Sequence, residues 1–294
     1  TSKPTLVGTG FSWAENMICA STTKNASALF VSENKRGEIW KITWNGSSYD
    51  QTKLKLSDAF TRFAGLAKNE KEEIFALGNP RKGNGCQMIK LSSWSGETSY
   101  TVIANLPRLC LGGGLAYYGN NVFYAASEGD FFPFEGEVYR IENQKVHVIQ
   151  DHGFADDGVF IDTANELLYV SEAESVSHKM LVLNASNGSS LLGMMKIGNV
   201  NMIDDFTVEA LTGRIVAADF LAGKVVRFKG WKDSKSPTAE VLLSGITSPT
   251  SARFGCVSDI HHGFSDKLIF VSEGGGLLSS THDRRVIAFS AAAI

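Results

Sequence analysis

No apolar run in this sequence approaches the roughly 20 residues that a bilayer-spanning helix needs, so no helical membrane span is expected. A dominant charge is missing too. The 28 Lys and Arg offset 31 Asp and Glu to a net charge of -3, with both signs mixed along the chain, so neither a nucleic acid nor a membrane surface is expected as partner. The sequence has no Gly-x-Ser-x-Gly elbow, no His-Glu-x-x-His pair and no phosphate-cradling Walker loop, which removes the usual serine-hydrolase, zinc-peptidase and nucleotide-hydrolase readings. Proline is scarce, at 6 of 294 residues, and so is cysteine, at four. The six histidines are His147, His152, His178, His261, His262 and His282. None stands beside an acid where chemistry is expected below, and solvent-facing imidazoles are the simpler reading.

What is present repeats. The stretch from Ala28 to Ile42 reads as a strand, a polar turn with Gly37 and a second strand. The same hairpin returns at 74–89, 122–141, 168–183, 215–228 and 269–289. Aligned on Phe30, Phe75, Phe123, Tyr169, Val216 and Phe270, the units recur every 45 to 54 residues or so, a period expected of propeller blades. An apolar stretch ahead of each hairpin, such as Gly158-Val159-Phe160-Ile161, supplies an innermost strand, and a polar segment behind it supplies an outer one. The expectation is an all-β chain: one six-bladed β-propeller domain over 1–294 with four strands per blade, closed by its first and last blades.

Ring closure makes the first and last blades neighbours, which predicts a Cys19–Cys256 bridge and leaves Cys86 to pair with Cys110. The second bridge closes a loop of about 24 residues, worth about 3 kcal/mol. Four buried free thiols are the alternative. Asn25, Asn45, Asn184 and Asn187 each begin an Asn-x-Ser/Thr sequon beside an expected turn or outer strand. With no leading methionine or apolar leader, this predicts a secreted glycoprotein carrying N-glycans, its signal peptide removed.

Function in a propeller gathers where the chain enters each innermost strand. The entry segments are 13–17, 61–64, 109–114, 154–158, 202–206 and 248–251, and three of them carry acids: Glu15, then Asp156 and Asp157, then Asp204 and Asp205. At this level the whole chain resembles the SMP-30, gluconolactonase and diisopropylfluorophosphatase-like propellers. The resemblance implies an axial calcium ion held by Glu15, Asp157 and Asp204, with Asp157 standing where that family has asparagine. The chain departs from the family at Gly112-Gly113-Gly114, which offers no side-chain oxygen, and at Asn16-Met17 after Glu15. Calcium takes six to eight oxygens, commonly with two or more carboxylates. The competing reading makes these aspartates local turn caps.

An insertion at 127–135 places Phe131, Phe132 and Phe134 around Pro133. Leaving such rings in water costs roughly 1.5 to 3 kcal/mol each, so they are expected to cover something apolar. With Trp13, Phe63, Leu109, Leu111, Met202 and Phe206 they are expected to wall a pocket for apolar small molecules; packing onto their own scaffold is the alternative. The glycine-rich 273–283 reads as a lid or a plain loop. Arg62, Arg108 and Lys82 are expected to bring positive charge to the same mouth; arginines paired with the entry aspartates to hold those segments in place are the alternative.

Two enzyme readings follow. The favoured one uses no cofactor: the chain is similar to secreted fungal hetero-Diels–Alderases of secondary metabolism, which join a quinone methide to a terpene alkene, with Arg62 or Asn16 polarising the oxygen. The other is a Ca2+-dependent lactonase or phosphotriesterase in which Asp157 or Asp204 serves as base or nucleophile. A non-enzymatic binding propeller is the third class.

Overall fold

Twenty-four strands pair into six four-stranded antiparallel sheets in the computed structural model. It describes residues 3–23, 26–54, 56, 59–93, 98–127, 136–151, 156–172, 178–188, 190–256, 263–275 and 284–290. After β1 (Thr5–Thr9), blade 1 runs β2 (Ala14–Thr23), β3 (Ala26–Glu33), β4 (Glu38–Trp44) and β5 (Tyr49–Leu54). Blade 2 is β6 (Phe60–Lys68), β7 (Ile74–Pro80), β8 (Cys86–Leu91) and β9 (Tyr100–Leu106). Blade 3 is β10 (Leu115–Gly119), β11 (Val122–Ser127), β12 (Glu137–Glu142) and β13 (Lys145–Asp151). Blade 4 is β14 (Asp156–Asp162), β15 (Leu167–Glu172), β16 (Lys179–Asn184) and β17 (Leu191–Lys196). Blade 5 is β18 (Ile203–Val208), β19 (Ile215–Asp219), β20 (Lys224–Phe228) and β21 (Glu240–Ser244). Blade 6 is β22 (Pro249–Phe254), β23 (Leu268–Glu273) and β24 (Arg285–Ser290), completed by β1 as its fourth strand.

The repeat is therefore a six-bladed propeller, and its six alignment residues all fall on second strands. Those strands are buried from end to end in blades 3 and 4, because each is covered by a neighbouring sheet on both faces; this is why they read as unbroken apolar runs instead of alternating ones. Outer strands such as β5 are mostly exposed. The core is split into six apolar clusters, one at each interface between neighbouring blades. At the closing interface Val7 and Phe11 from the N-terminal segment join Leu29, Phe270 and Val286.

Closure is doubled. The sequence reading leaves the first strand unassigned, but β1 pairs with β24 in the last blade, and Cys19–Cys256 then joins blade 1 to blade 6 with Cα atoms 5.4 Å apart. Cys86 is bonded to Cys110 at 5.5 Å, tying blade 2 to the approach of blade 3. Both expected pairings are present, and two formed disulfides fit a protein that folds in an oxidising compartment.

Candidate axial carboxylate site

Each acid expected to work at the axis sits in a bulge at the start of an innermost strand. Register slips by one residue between Ala14 and Met17 against β3, between Asp156 and Val159 against β15, and between Ile203 and Phe206 against β19. A bulge turns consecutive side chains out of strict alternation and re-aims them, so the acids of these entry segments are strand residues, one from each pointed at the axis. Glu15, Asp157 and Asp204 consequently converge: one carboxylate oxygen from each lies within 4.8 Å of the other two, and all three residues are buried.

The backbone freed by these bulges is held by a serine from the second strand. Ser32 Oγ accepts the Asn16 N–H at 3.0 Å. Ser171 Oγ accepts the Gly158 N–H at 2.8 Å and donates to the Asp204 carbonyl at 2.6 Å. Ser272 Oγ donates to the Glu15 carbonyl at 3.0 Å. The next residue is an acid that ties down its own blade's entry: Glu33 accepts the Ser12 N–H at 3.0 Å and Glu273 the Thr247 N–H at 3.2 Å. In blade 5 Asp219 does the same for Asn201 at 3.1 Å and Met202 at 3.0 Å. These residues are absent from the expectations above, although their signal is in the sequence: Val-Ser-Glu recurs at 31–33, 170–172 and 271–273.

Three carboxylates this close repel one another by about 3 kcal/mol per ionised pair at an effective dielectric near 20. Burial raises the Glu15 carboxyl well above its ordinary value, and the charge of Asp157 raises it further; hydrogen bonds from Asn34 and Trp13 act the other way. Trp13 donates its indole N–H to Glu15 Oε2 at 2.6 Å. Asp156 is also pushed well up, by burial and then by Glu172 and Asp157, and neither of its carboxylate oxygens has a hydrogen-bond partner. An all-oxygen, multiply acidic donor set suits a hard divalent cation such as calcium, and among the described residues no soft ligand joins the cluster to favour zinc or copper. The residues present fit calcium.

Asp205, the neighbour of Asp204, points elsewhere. It pairs with buried Arg253 at 2.6 Å and accepts bonds from Asn16 Nδ2 at 2.5 Å and Ser251 Oγ at 2.9 Å. Arg253 also donates to the carbonyls of Met17 and Phe206. This network locks blades 1, 5 and 6 together beside the carboxylates. Asn16, expected to polarise a substrate oxygen, directs an amide N–H to Asp205, and its Oδ1 is the atom left without a partner.

The triple glycine has a packing reason. A Cβ on Gly113 would lie 1.9 Å from the Ala126 carbonyl oxygen, and one on Gly114 2.4 Å from the Val159 nitrogen. Gly65 N–H donates to Gly113 O, and Gly114 N–H to Asp157 O, at 2.8 and 2.7 Å. This segment threads between blades 2 and 4 where no side chain fits, so it contributes backbone only.

The expected pocket wall is divided. Phe63 and Phe206 are corrected to core positions: both are fully buried between blades, against Phe60 and Phe160 respectively. Trp13, Leu109, Leu111 and Met202 are half-buried at the mouth, with Trp13 set 6.2 Å from Phe220. Arg62 is half-buried two residues into β6, while Arg108 is committed to Glu137 at 2.8 Å. Phe131, Phe132, Phe134, Asn25, His152, His261, His262, His282 and most of 273–283 lie outside the described residues. Asn45 is exposed at the β4–β5 turn, and Asn184 and Asn187 lie at the β16–β17 turn. A polar cleft of about 260 Å3 opens between blades 4 and 5 at the other end of their strands, beside Asp162, Tyr169 and Asp233.

No protein-family model matches the sequence, and no curated protein matches it. Solved structures do. A luciferin-regenerating enzyme superposes with a TM-score of 0.70 at 13% identity, covering 97% of this chain and 95% of its own. A gluconolactonase from Xanthomonas campestris gives 0.68 at 12%, covering 97% and 88%. A calcium-binding regucalcin from Agrobacterium tumefaciens gives 0.65 at 12%, covering 98% and 91%. At such identities the likeness is one of fold, and the fold this chain shares with them is the six-bladed β-propeller.

Proposed function

We propose that this protein is a calcium-dependent hydrolase of small lactones or related esters, built on the buried convergence of Glu15, Asp157 and Asp204. That convergence carries the reading, because three carboxylates held this close call for a cation. Neighbours of the same fold include a gluconolactonase and a calcium-binding regucalcin. Bound there, calcium would polarise the substrate carbonyl and lower the pKa of water. Glu15 is oriented by the Trp13 indole, and the Asp204 backbone is pinned by Ser171. Asp157 or Asp204 would take the proton of the attacking water. The two disulfides and the exposed sequon asparagines Asn45 and Asn187 support a secretory location.

The test is isothermal titration of calcium into EDTA-treated protein, paired with hydrolysis of a sugar lactone. Uptake of about one calcium per chain with calcium-dependent turnover is expected. No uptake overturns the reading and favours the second one, a cofactor-independent hetero-Diels–Alder cyclase, whose support is the aromatic mouth at Trp13 and Phe220.

A further inference from the structure

The mouth above the carboxylates is cationic on one side. Glu33 pairs with Ala14 in register and Phe60 with Pro80, so the turns after β3 and β7 leave from the same face at which the acids enter. Those turns carry Lys35 and Arg36, then Arg81 and Lys82, all four exposed. Half-buried Arg62 lies between them in sequence, near the open end of β6. The salt bridges among the described residues include none from these five cations.

One of the five is linked to the acid site through a single side chain, Trp13. Lys35 Nζ stands 4.6 Å over the Trp13 ring, and the same indole donates to Glu15 Oε2 at 2.6 Å. The turn that carries Lys35 leans inward: a Cβ on Gly37 would meet the Phe60 carbonyl oxygen at 2.4 Å, and Asn34 donates to the Leu111 carbonyl at the approach to blade 3. Trp13 in turn lies against Phe220 and Gly274 from blades 5 and 6. An ammonium therefore hangs above an aromatic floor at the lip of a carboxylate pit.

We propose that Lys35 is a specificity-determining residue that binds an anionic group on the substrate, so that the natural substrate is an ester or lactone bearing a second, negatively charged group. This rests on the hydrolase reading. Three carboxylates and one divalent cation leave the pit with excess negative charge, which would repel an anionic substrate, and a cationic rim on blades 1 and 2 reverses that field at the point of entry. The aromatic floor receives the apolar body of the molecule while the ammonium takes its anion. In the reaction the water oxygen bonds to the acyl carbon, the acyl–oxygen bond breaks, one water proton passes by way of the carboxylate base to the leaving oxygen, and the products are an acid and an alcohol.

The test uses matched substrates with one leaving group: p-nitrophenyl acetate, which is neutral, and mono-p-nitrophenyl succinate, which is anionic. Calcium-loaded wild type is expected to favour the succinate, and Lys35→Met, which keeps a stem over Trp13 and removes the charge, is expected to lower the succinate-to-acetate ratio of kcat/KM about three- to fivefold. Lys35→Arg is expected to restore it. A ratio unchanged in Lys35→Met overturns the proposal while leaving the hydrolase reading intact. Calorimetry with the matching amides, 4-nitrosuccinanilic acid and 4-nitroacetanilide, separates the two failures. Selective binding of the acid, lost in Lys35→Met, supports the anion subsite even where neither ester is hydrolysed. Equal binding, or none, overturns it.

Discussion

Asp157 is the residue on which the axial site turns. It supplies the third buried carboxylate and, after burial, is the main cause of the raised Glu15 carboxyl. Asp157→Asn keeps shape and removes charge. Calcium affinity is expected to fall about tenfold or more, while the cation-free protein melts higher than wild type because a like charge has left the cluster. Titration calorimetry and melting with EDTA check both halves. The pH dependence has a definite sign. With a folded pKa above the unfolded value of about 4.5, Glu15 holds an extra proton in the native state between those two values. Stability of the cation-free protein is therefore full below the unfolded value and falls as pH rises through the folded one. Calcium relieves that loss, so the gap in melting temperature between calcium-loaded and EDTA-treated protein is expected to widen as pH rises from about 5 to about 7. A gap that narrows contradicts a cation among these carboxylates.

At the scale of the element, a bulge and a serine act as one unit. Re-aiming Glu15, Asp157 and Asp204 costs regular ladder bonds, and the hydroxyls of Ser32, Ser171 and Ser272 replace them from the adjoining strand. Ser171→Ala leaves the Gly158 N–H without its acceptor and the Asp204 carbonyl without its donor in a fully buried place. A loss of about 1 to 3 kcal/mol is expected in denaturant unfolding, together with weaker calcium binding. Ser236→Ala, exposed and away from the axial bulges, serves as the control and should change neither. The triple glycine belongs to this scale too. Its lack of side-chain oxygen reads in sequence as a degraded metal site, yet the close approach of Ala126 and Val159 to Gly113 and Gly114 makes it a packing requirement.

The whole molecule is a ring, and rings fail at their seam. The seam here combines β1 on β24 with a disulfide spanning 237 residues. Cross-linking so long a segment restricts the unfolded chain by an amount worth up to about 5 kcal/mol. Cys19→Ser with Cys256→Ser is expected to lower stability by a few kcal/mol, and more than Cys86→Ser with Cys110→Ser, whose bridge spans only 24 residues. Equilibrium denaturation of the two double variants decides the order.

Much of this was legible in the residues alone, because a repeated strand-turn-strand pattern with apolar second strands leaves few ways to bury its core. Period and hydrophobicity determined six blades, the cysteine pairs and the entries at which acids would gather. The family resemblance singles out Glu15, Asp157 and Asp204, but only the tertiary structure decided that these three meet. Asp156, Asp157, Asp204 and Asp205 look alike as neighbours in sequence, but each bulge sends one toward the axis and its neighbour into the wall, Asp205 onto Arg253 and Asp156 beside Glu172. The same holds for the aromatics. Phe63 and Phe206 read as pocket wall by position and are core by packing, since side-chain direction at a bulge depends on the local register slip and the neighbouring blade, and neither is written in the strand's own pattern.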